Sequence, residues 1–389
     1  MKKALIVSSV YGFLEKFETQ DVRILQEYGY EVHFAANKGN AVYESEHTVD
    51  RLGVSFHDVG FSQSPFRIVT NSIALLKLKK LIRQEGYELI HCHTPIAAYL
   101  TRLACKGTGA YVIYTAHGFH FYNGASKFHN IIYSSVENYL SRFTDAIVTI
   151  NKEDYEAACK MKADNVYQIP GVGIDSDRFH LTSQKGSLEA RKKLGFQKED
   201  FVLLSIGELR KNKNQQIVLE ALNQMKQSGV LDKCQIRYVL LGNGRDTDKM
   251  KKFVIKNNLN KYVFFEGYKE DVRDYIEASD VLIFPSIREG LGMAALEALS
   301  MGIPVIASYN RGSKEYLHDG QNGIFVRDNT SSSYEEAIIN IFVNRGIWSA
   351  DETRTKIRNS VSGFVLEETR EKMREVYLNA GDKCDSICV

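Results

Sequence analysis

Short, continuous apolar runs alternate with longer amphipathic segments along the chain. In the first half the runs fall at residues 4–8, 32–36, 89–92, 111–115 and 146–150. Their length and their lack of polar alternation predict buried parallel strands, and the intervening segments carry the period of surface helices. The pattern breaks at Pro170-Gly-Val-Gly173, and the polar stretch 182–186 reads as a linker. It then restarts with runs at 201–205, 237–241, 263–265, 281–284 and 304–307. The expectation is an α/β protein with two doubly wound domains, 1–180 and 181–362, facing each other across a cleft. A last helical pattern at 366–377, in the segment 363–389, is expected to pack back on the first domain. Ligands of such sheets bind beyond the carboxyl ends of the strands, which places the expected site in that cleft.

One strand-to-helix passage carries more information than the rest, Pro285-Ser-Ile-Arg-Glu-Gly-Leu-Gly-Met-Ala-Ala-Leu-Glu297. Gly290 and Gly292 lie where strand gives way to helix. Glycine lets a ligand approach the backbone, and the unpaired N–H groups of a helix start favour a diphosphate. Glu289 precedes the helix and Glu297 lies inside it. Eight positions at about 1.5 Å each separate them by roughly 12 Å, so they suit the two ends of an extended ligand rather than one atom.

The strand at 201–205 leads into a loop with Arg210, Lys211 and Lys213, cations able to neutralise a leaving diphosphate. A second strand ends in Ala116-His-Gly-Phe-His-Phe-Tyr122, where His117 is placed to hydrogen-bond a sugar hydroxyl, whereas His120 reads as a core histidine. His91 and His93 lie two apart at another strand end with no carboxylate close in sequence, and no metal is predicted from them. The triplets Asp175-Ser-Asp177 and Asp246-Thr-Asp248 end no apolar strand and read as turn and N-cap aspartates. Along 73–83, Ala74, Leu75, Leu78, Leu81 and Ile82 share one helix face and Lys77, Lys80 and Arg83 the other. This is the pattern of a helix packed on a sheet, with a basic outer face that also suits an anionic membrane surface.

With 389 residues, 44% hydrophobic and 25% charged, the chain has the composition of a soluble globular protein. A formal net charge of +2 offers no general basis for nucleic-acid binding. The apolar run after Met1 is too short for a signal peptide core and no stretch approaches a membrane span, so a cytoplasmic location is expected. Cys92, Cys105, Cys159, Cys234, Cys384 and Cys388 form no C-x-x-C pair and read as reduced thiols, the last two in a frayed tail.

These residues resemble a known family. Glu289 and Glu297 match the E-x7-E element of the retaining GT-B glycosyltransferases of family 4. The match extends through Gly267-Tyr268, Ala278-Ser-Asp280, Gly302-Ile-Pro-Val-Ile306, Gly320-Gln-Asn-Gly323, Ala116-His-Gly118 and residues 90–95 and 169–175. The resemblance implies that Glu289 binds donor-sugar hydroxyls and Glu297 the ribose. Backbone at Gly290, Leu291 and Gly292 would meet the diphosphate together with Lys213, and Gly12 would approach it from the first domain. Gly267, Tyr268 and Lys269 would line the base pocket, and His117 would face the transferred sugar. The family loop G-R-L-x-x-x-K has Glu208 in place of its Arg here, so Glu208 is expected to turn away or pair with a neighbour, and Arg210 to supply the cation. No cofactor or metal is implied. The wording of the first half resembles the branch that builds capsular and exopolysaccharide repeats, which implies a UDP-sugar donor, a polyprenyl-diphosphate-linked glycan acceptor and peripheral membrane contact. A non-catalytic sugar-nucleotide-binding protein and a sugar-nucleotide epimerase of the same fold are the alternative readings.

Overall fold

The computed structural model describes residues 2–40, 48–181 and 183–387. The chain divides into two compact units, one of residues 1–173 with 367–389 and one of residues 174–366.

In the first unit the strands are β1 (Lys2–Val7), β2 (Tyr30–Ala36), β3 (Ser55–Asp58), β4 (Leu89–Cys92), β5 (Tyr111–Ala116), β6 (Ala146–Thr149) and β7 (Asn165–Gln168). They form one parallel sheet in the order β3-β2-β1-β4-β5-β6-β7. Every residue of β4, β5 and β6 is buried, as continuous apolar runs require when helices cover both faces. Helices that matter below are α1 (Thr19–Glu27), preceded by a π-helical turn (Leu14–Glu18), α2 (Ile68–Glu85) and α3 (Lys127–Leu140). α2 buries Ala74, Leu78 and Ile82 and stops at Gly86, whose φ of 64° lets its N–H close on the Ile82 carbonyl at 3.1 Å. Its outward face is not purely basic, because Val69, Ile73 and Leu76 are exposed beside Lys77, Lys80 and Arg83.

In the second unit β8 (Phe201–Ile206), β9 (Ile236–Leu241), β10 (Val263–Gly267), β11 (Val281–Phe284), β12 (Val305–Ser308) and β13 (Gly323–Val326) form a parallel sheet in the order β10-β9-β8-β11-β12-β13. Helix α4 (Gln215–Gln227) follows β8 and α5 (Met293–Ser300) follows β11. The stretch read as a linker begins a helix instead. Ser183 accepts a hydrogen bond from the Gly186 N–H at 3.3 Å and caps the helix Gln184–Leu194, so its polar residues are those of a helix start. Thr182 itself lies outside the described residues.

The last helix, α6 (Leu366–Ile387), belongs to the first unit. Met373, Val376, Tyr377 and Ala380 are buried there, and Arg370 and Arg374 both pair with Glu27 of α1. Cys92, Cys105 and Cys234 are buried free thiols and Cys159 is exposed. Cys384 and Cys388 lie outside the residues whose side chains are described. Among the described residues no helix is long and apolar enough to cross a membrane.

Candidate functional site

The order of each sheet reverses direction once, between β1 and β4 in the first unit and between β8 and β11 in the second. At such a switch point adjacent loops diverge to opposite faces and leave a crevice at the strand ends. The sequence-predicted residues of the second unit come largely from the two loops at its switch point.

After β8 the chain runs from Gly207 to Asn214, and after β11 from Pro285 to Gly292. The Ile287 N–H donates to the Asn212 carbonyl at 2.8 Å, and the Asn212 amide donates to the Arg288 carbonyl at 2.9 Å. That tie brings Lys213 Nζ within 2.6 Å of Glu289 Oε1, with the ammonium 5.2 Å from the centre of the Phe284 ring. Both side chains are only partly accessible, 20% for Lys213 and 14% for Glu289, so the pair is largely shielded from water. Gly292 precedes α5 with φ 108°, and a Cβ there would lie 2.7 Å from Phe284 and 2.9 Å from the Tyr316 hydroxyl. Burial and the Glu289 charge hold the Tyr316 phenol well above its usual range, so it stays neutral beneath the turn. Glu297 lies half-buried in α5.

Glu208, in the position where an Arg was expected, sits 3.1 Å from Arg210 Nε, outside hydrogen-bonding alignment, with both side chains about half exposed. The acid is paired with its neighbour. Gly267 ends β10 with φ 70°, Tyr268 beyond it is exposed, and Lys269 lies 3.4 Å from Glu266. Sequence reasoning missed Arg311. It is buried in the loop after β12, and its Nε donates to the Glu289 carbonyl at 3.3 Å. The only signal was an Arg-Gly pair after an apolar run. Gly312 follows it in close approach to the neighbouring loop, since a Cβ there would meet the Leu291 carbonyl oxygen at 2.7 Å.

In the first unit Gly12 is buried in the turn between β1 and the π-helical turn. The loops after β1 and β4 are pinned together, because the Ser9 N–H and hydroxyl both donate to Thr94 Oγ1, at 3.0 and 2.9 Å. Thr94 adopts φ 59°, an unfavourable conformation for a β-branched residue and one that clusters at functional sites. His117 follows β5, half-buried, with its Nε2 at 3.2 Å from His93 Nδ1 and its ring edge on Phe13. Burial lowers the pKa of His117 to about 4, so at neutral pH the ring is uncharged. His120 stacks on Tyr133.

Among the described residues, Glu18, His91 and His93 come nearest to a metal-ligand set, with ligand atoms within 4.8 Å of one another. Both ring nitrogens of His91 are already engaged, however, by Tyr377 and Thr115 at 2.7 Å each. The group is a hydrogen-bonding cluster. Of the two D-x-D triplets, Asp175 accepts from the N–H groups of Asp177 and Arg178 at 3.1 and 3.0 Å in a turn. Asp246 stands at the N-cap of the helix Thr247–Lys256 without a side-chain cap bond.

Residues 187–361 match the family model described as Glycosyl transferases group 1, and residues 22–178 match the model described as Glycosyltransferase Family 4. The putative glycosyltransferase EpsD of Bacillus subtilis (strain 168) is 33% identical over 385 residues, covering 97% of this chain and 96% of its own. The UDP-Gal:alpha-D-GlcNAc-diphosphoundecaprenol alpha-1,3-galactosyltransferase of Escherichia coli is 26% identical, with 80% of each chain covered. Among solved structures, sucrose-phosphate synthase from Thermosynechococcus elongatus aligns over 98% of this chain and all of its own, with TM-score 0.82 and 18% identity. Anabaena HepE in complex with UDP-glucose aligns over 97% of this chain and all of its own, with TM-score 0.76 and 18% identity.

Proposed function

This chain belongs to the GT-B glycosyltransferases, and we propose that it moves a hexose or N-acetylhexosamine, with retention, from a UDP-sugar to a hydroxyl of a lipid-linked glycan in cell-surface polysaccharide synthesis. The observation that carries the reading is the Lys213–Glu289 pair at the switch point of the second unit. It sets a cation for a diphosphate and a carboxylate for sugar hydroxyls side by side, next to the N-terminus of α5. Gly290, Leu291 and Gly292 offer backbone N–H groups to the diphosphate, Arg210 adds charge, Glu297 takes the ribose, and Gly267, Tyr268 and Lys269 line the base. Within the first unit, Gly12 and His117 are the residues assigned by resemblance to the diphosphate and to the transferred sugar. The E. coli relative, whose name specifies a UDP-sugar and a diphosphoundecaprenol-linked acceptor, supports the choice of donor and acceptor class.

The bond from the anomeric carbon to the phosphate oxygen breaks, and the acceptor hydroxyl oxygen bonds that carbon on the same face. The departing phosphate oxygen takes the hydroxyl proton, so UDP and the glycoside are the products. No protein nucleophile enters this sequence, and catalysis rests on positioning and on charge stabilisation at the leaving group. Incubation with a panel of UDP- and GDP-sugars tests the donor assignment, since a ligand bound only by the folded state raises Tm with its concentration. UDP-sugars are expected to shift the melt; a shift with GDP-sugars alone refutes the assignment.

A lipid-linked acceptor requires access to a bilayer surface, and the first unit has a surface suited to it. Phe66, at 89% exposure, and Ile68, Val69, Ile73 and Leu76 are exposed in and just before α2, while Phe128, Ile131, Ile132 and Tyr139 are exposed along α3. Both helices pack against the helix Pro95–Ala104. Basic residues beside exposed apolar ones are the composition of an interfacial contact. Each basic residue near an anionic surface contributes about 1 kcal/mol, so changing Lys77, Lys80 and Arg83 to Gln is expected to lower partition onto anionic vesicles by roughly a hundredfold. Flotation that is insensitive to the triple change rules this surface out.

A further inference from the structure

Behind His117 a continuous chain of buried polar groups runs into the first unit. His117 Nε2 lies 3.2 Å from His93 Nδ1, and His93 Nε2 lies 3.4 Å from Glu18 Oε2. These last two atoms are fully buried, and each faces the other without any aligned hydrogen-bond partner. Glu18 is bonded to Asp21, Asp21 to the Tyr377 hydroxyl, and that hydroxyl to His91 Nδ1 at 2.7 Å. His91 Nε2 ends the chain on Thr115 Oγ1 at 2.7 Å. The titratable groups facing the cluster are thus Glu18 and Asp21 around the π-helical turn, His91 and His93 at the end of β4, His117 after β5 and Tyr377 from α6. The π-helical turn ends at Glu18, and such turns are rare and frequent at functional sites.

Two carboxyls in contact inside a protein do not both stay ionised. Burial, with the neighbouring Asp21 charge, raises Glu18 well above the carboxylate range, and burial raises Asp21 to about 6 although its bonds from Glu18 and Tyr377 pull the other way. Burial lowers His91 to about 3 and His93 well below its usual value, so the imidazoles are neutral and each carries one ring hydrogen.

We propose that Glu18 and Asp21 share one proton and, through His93, fix the tautomer of His117, with the hydrogen on Nε2 and Nδ1 left as an acceptor. Asp21, the acceptor of the Tyr377 hydroxyl, also draws the Glu18 proton. The other Glu18 oxygen is then an acceptor, which places the His93 hydrogen on Nε2. His93 Nδ1 in turn accepts from His117 Nε2–H. If the Glu18 proton instead pointed at His93, every hydrogen along the chain would reverse and His117 would present an N–H at Nδ1. Glu18, Asp21 and His93 are therefore positioning residues. For the sugar contact proposed above, and resting on that reading, the consequence is that His117 accepts a hydrogen bond from a hydroxyl rather than donating one.

The test is long-range 1H–15N correlation of histidine-labelled protein, with His117 assigned through His117→Gln. The readout needs neither donor nor acceptor, so its failure is separate from failure of the transferase reading. Wild type is expected to show the Nε2–H form. Glu18→Gln retains it, because the amide donates to Asp21 and accepts from His93, whereas Asp21→Leu removes the proton's acceptor and inverts His117 to Nδ1–H. An Nδ1–H form in wild type overturns the proposal even if Asp21→Leu does not fold. So does an unchanged tautomer in folded Asp21→Leu, or stoichiometric Zn2+ uptake that displaces the His93 ring hydrogen. A purely structural role for Glu18 and Asp21 predicts no change of tautomer.

Discussion

Replacing Lys213 with alanine is expected to lower turnover by about 10²–10³-fold, the range found when one preorganised charge-stabilising donor is removed. In the proposed reaction charge develops on the diphosphate as the anomeric bond breaks, and Lys213 is the cation best held to meet it. Its ammonium is fixed by Glu289 at 2.6 Å and backed by the Phe284 ring. Arg210 cannot replace it fully, since nearly half of its side chain is in water and it also faces Glu208 at 3.1 Å. Because the contact strengthens in the transition state, the loss should fall on kcat, with the acceptor KM within about twofold of wild type. Steady-state kinetics with a UDP-sugar and a lipid-linked acceptor measures both. Unchanged turnover removes Lys213 from the catalytic group. Equal losses in kcat and in thermal stability would make the Lys213–Glu289 pair a structural tie between the two loops. Lys213→Arg separates these cases further, because arginine keeps the charge while its planar fork does not fit the space of a point-charge ammonium.

What could be read from sequence follows burial. The interior strands of both sheets were predicted to within two residues at either end because they are buried on both faces and so consist of unbroken apolar runs. β3, β7 and β13 were not predicted, and each lies at an edge of its sheet, whereas the fourth edge strand, β10, was predicted because it keeps the apolar run Val263-Phe-Phe265. An edge strand has one neighbour and partial exposure. Ser-Phe-His-Asp in β3 and Asn-Val-Tyr-Gln in β7 therefore carry no apolar run, and their strand state is imposed by pairing with β2 and β6. The same logic holds in the site. The strand-to-helix turn that carries Glu289 and Gly292 was legible because such a turn has a local signature. Arg311 and Glu18 were not, because their roles come from contacts with loops and strands remote in sequence. α2 shows a third case. Its buried stripe was readable from spacing, but Ile73 and Leu76 were not recognised as exposed, since periodicity marks a helix's apolar positions without saying which of two faces the sheet covers.

The second large effect is expected at Glu289. Its carboxylate is held by Lys213 and its backbone carbonyl by the buried Arg311, so the side chain is presented at the strand end in one orientation. Truncation to alanine removes the proposed acceptor for sugar hydroxyls, and loss of a hydrogen-bonded charge in a desolvated contact costs about 2–5 kcal/mol, or roughly 30- to several-thousandfold in kcat/KM. The same truncation frees Lys213 from its ion pair. A nucleoside diphosphate without the sugar gains an unpaired cation and has nothing to lose at Glu289, so UDP should bind Glu289→Ala as tightly as wild type or more tightly, while UDP-sugar binds more weakly. Opposite signs for the two ligands, measured by calorimetry on the same preparation, separate a sugar-binding carboxylate from a scaffold residue. If UDP and UDP-sugar weaken in parallel, Glu289 serves only to hold Lys213. Glu289→Gln refines the distinction, because the amide can still accept from a hydroxyl but no longer neutralises the ammonium. It should recover part of the sugar affinity while keeping the gain for UDP, a combination that no loss of loop structure would produce.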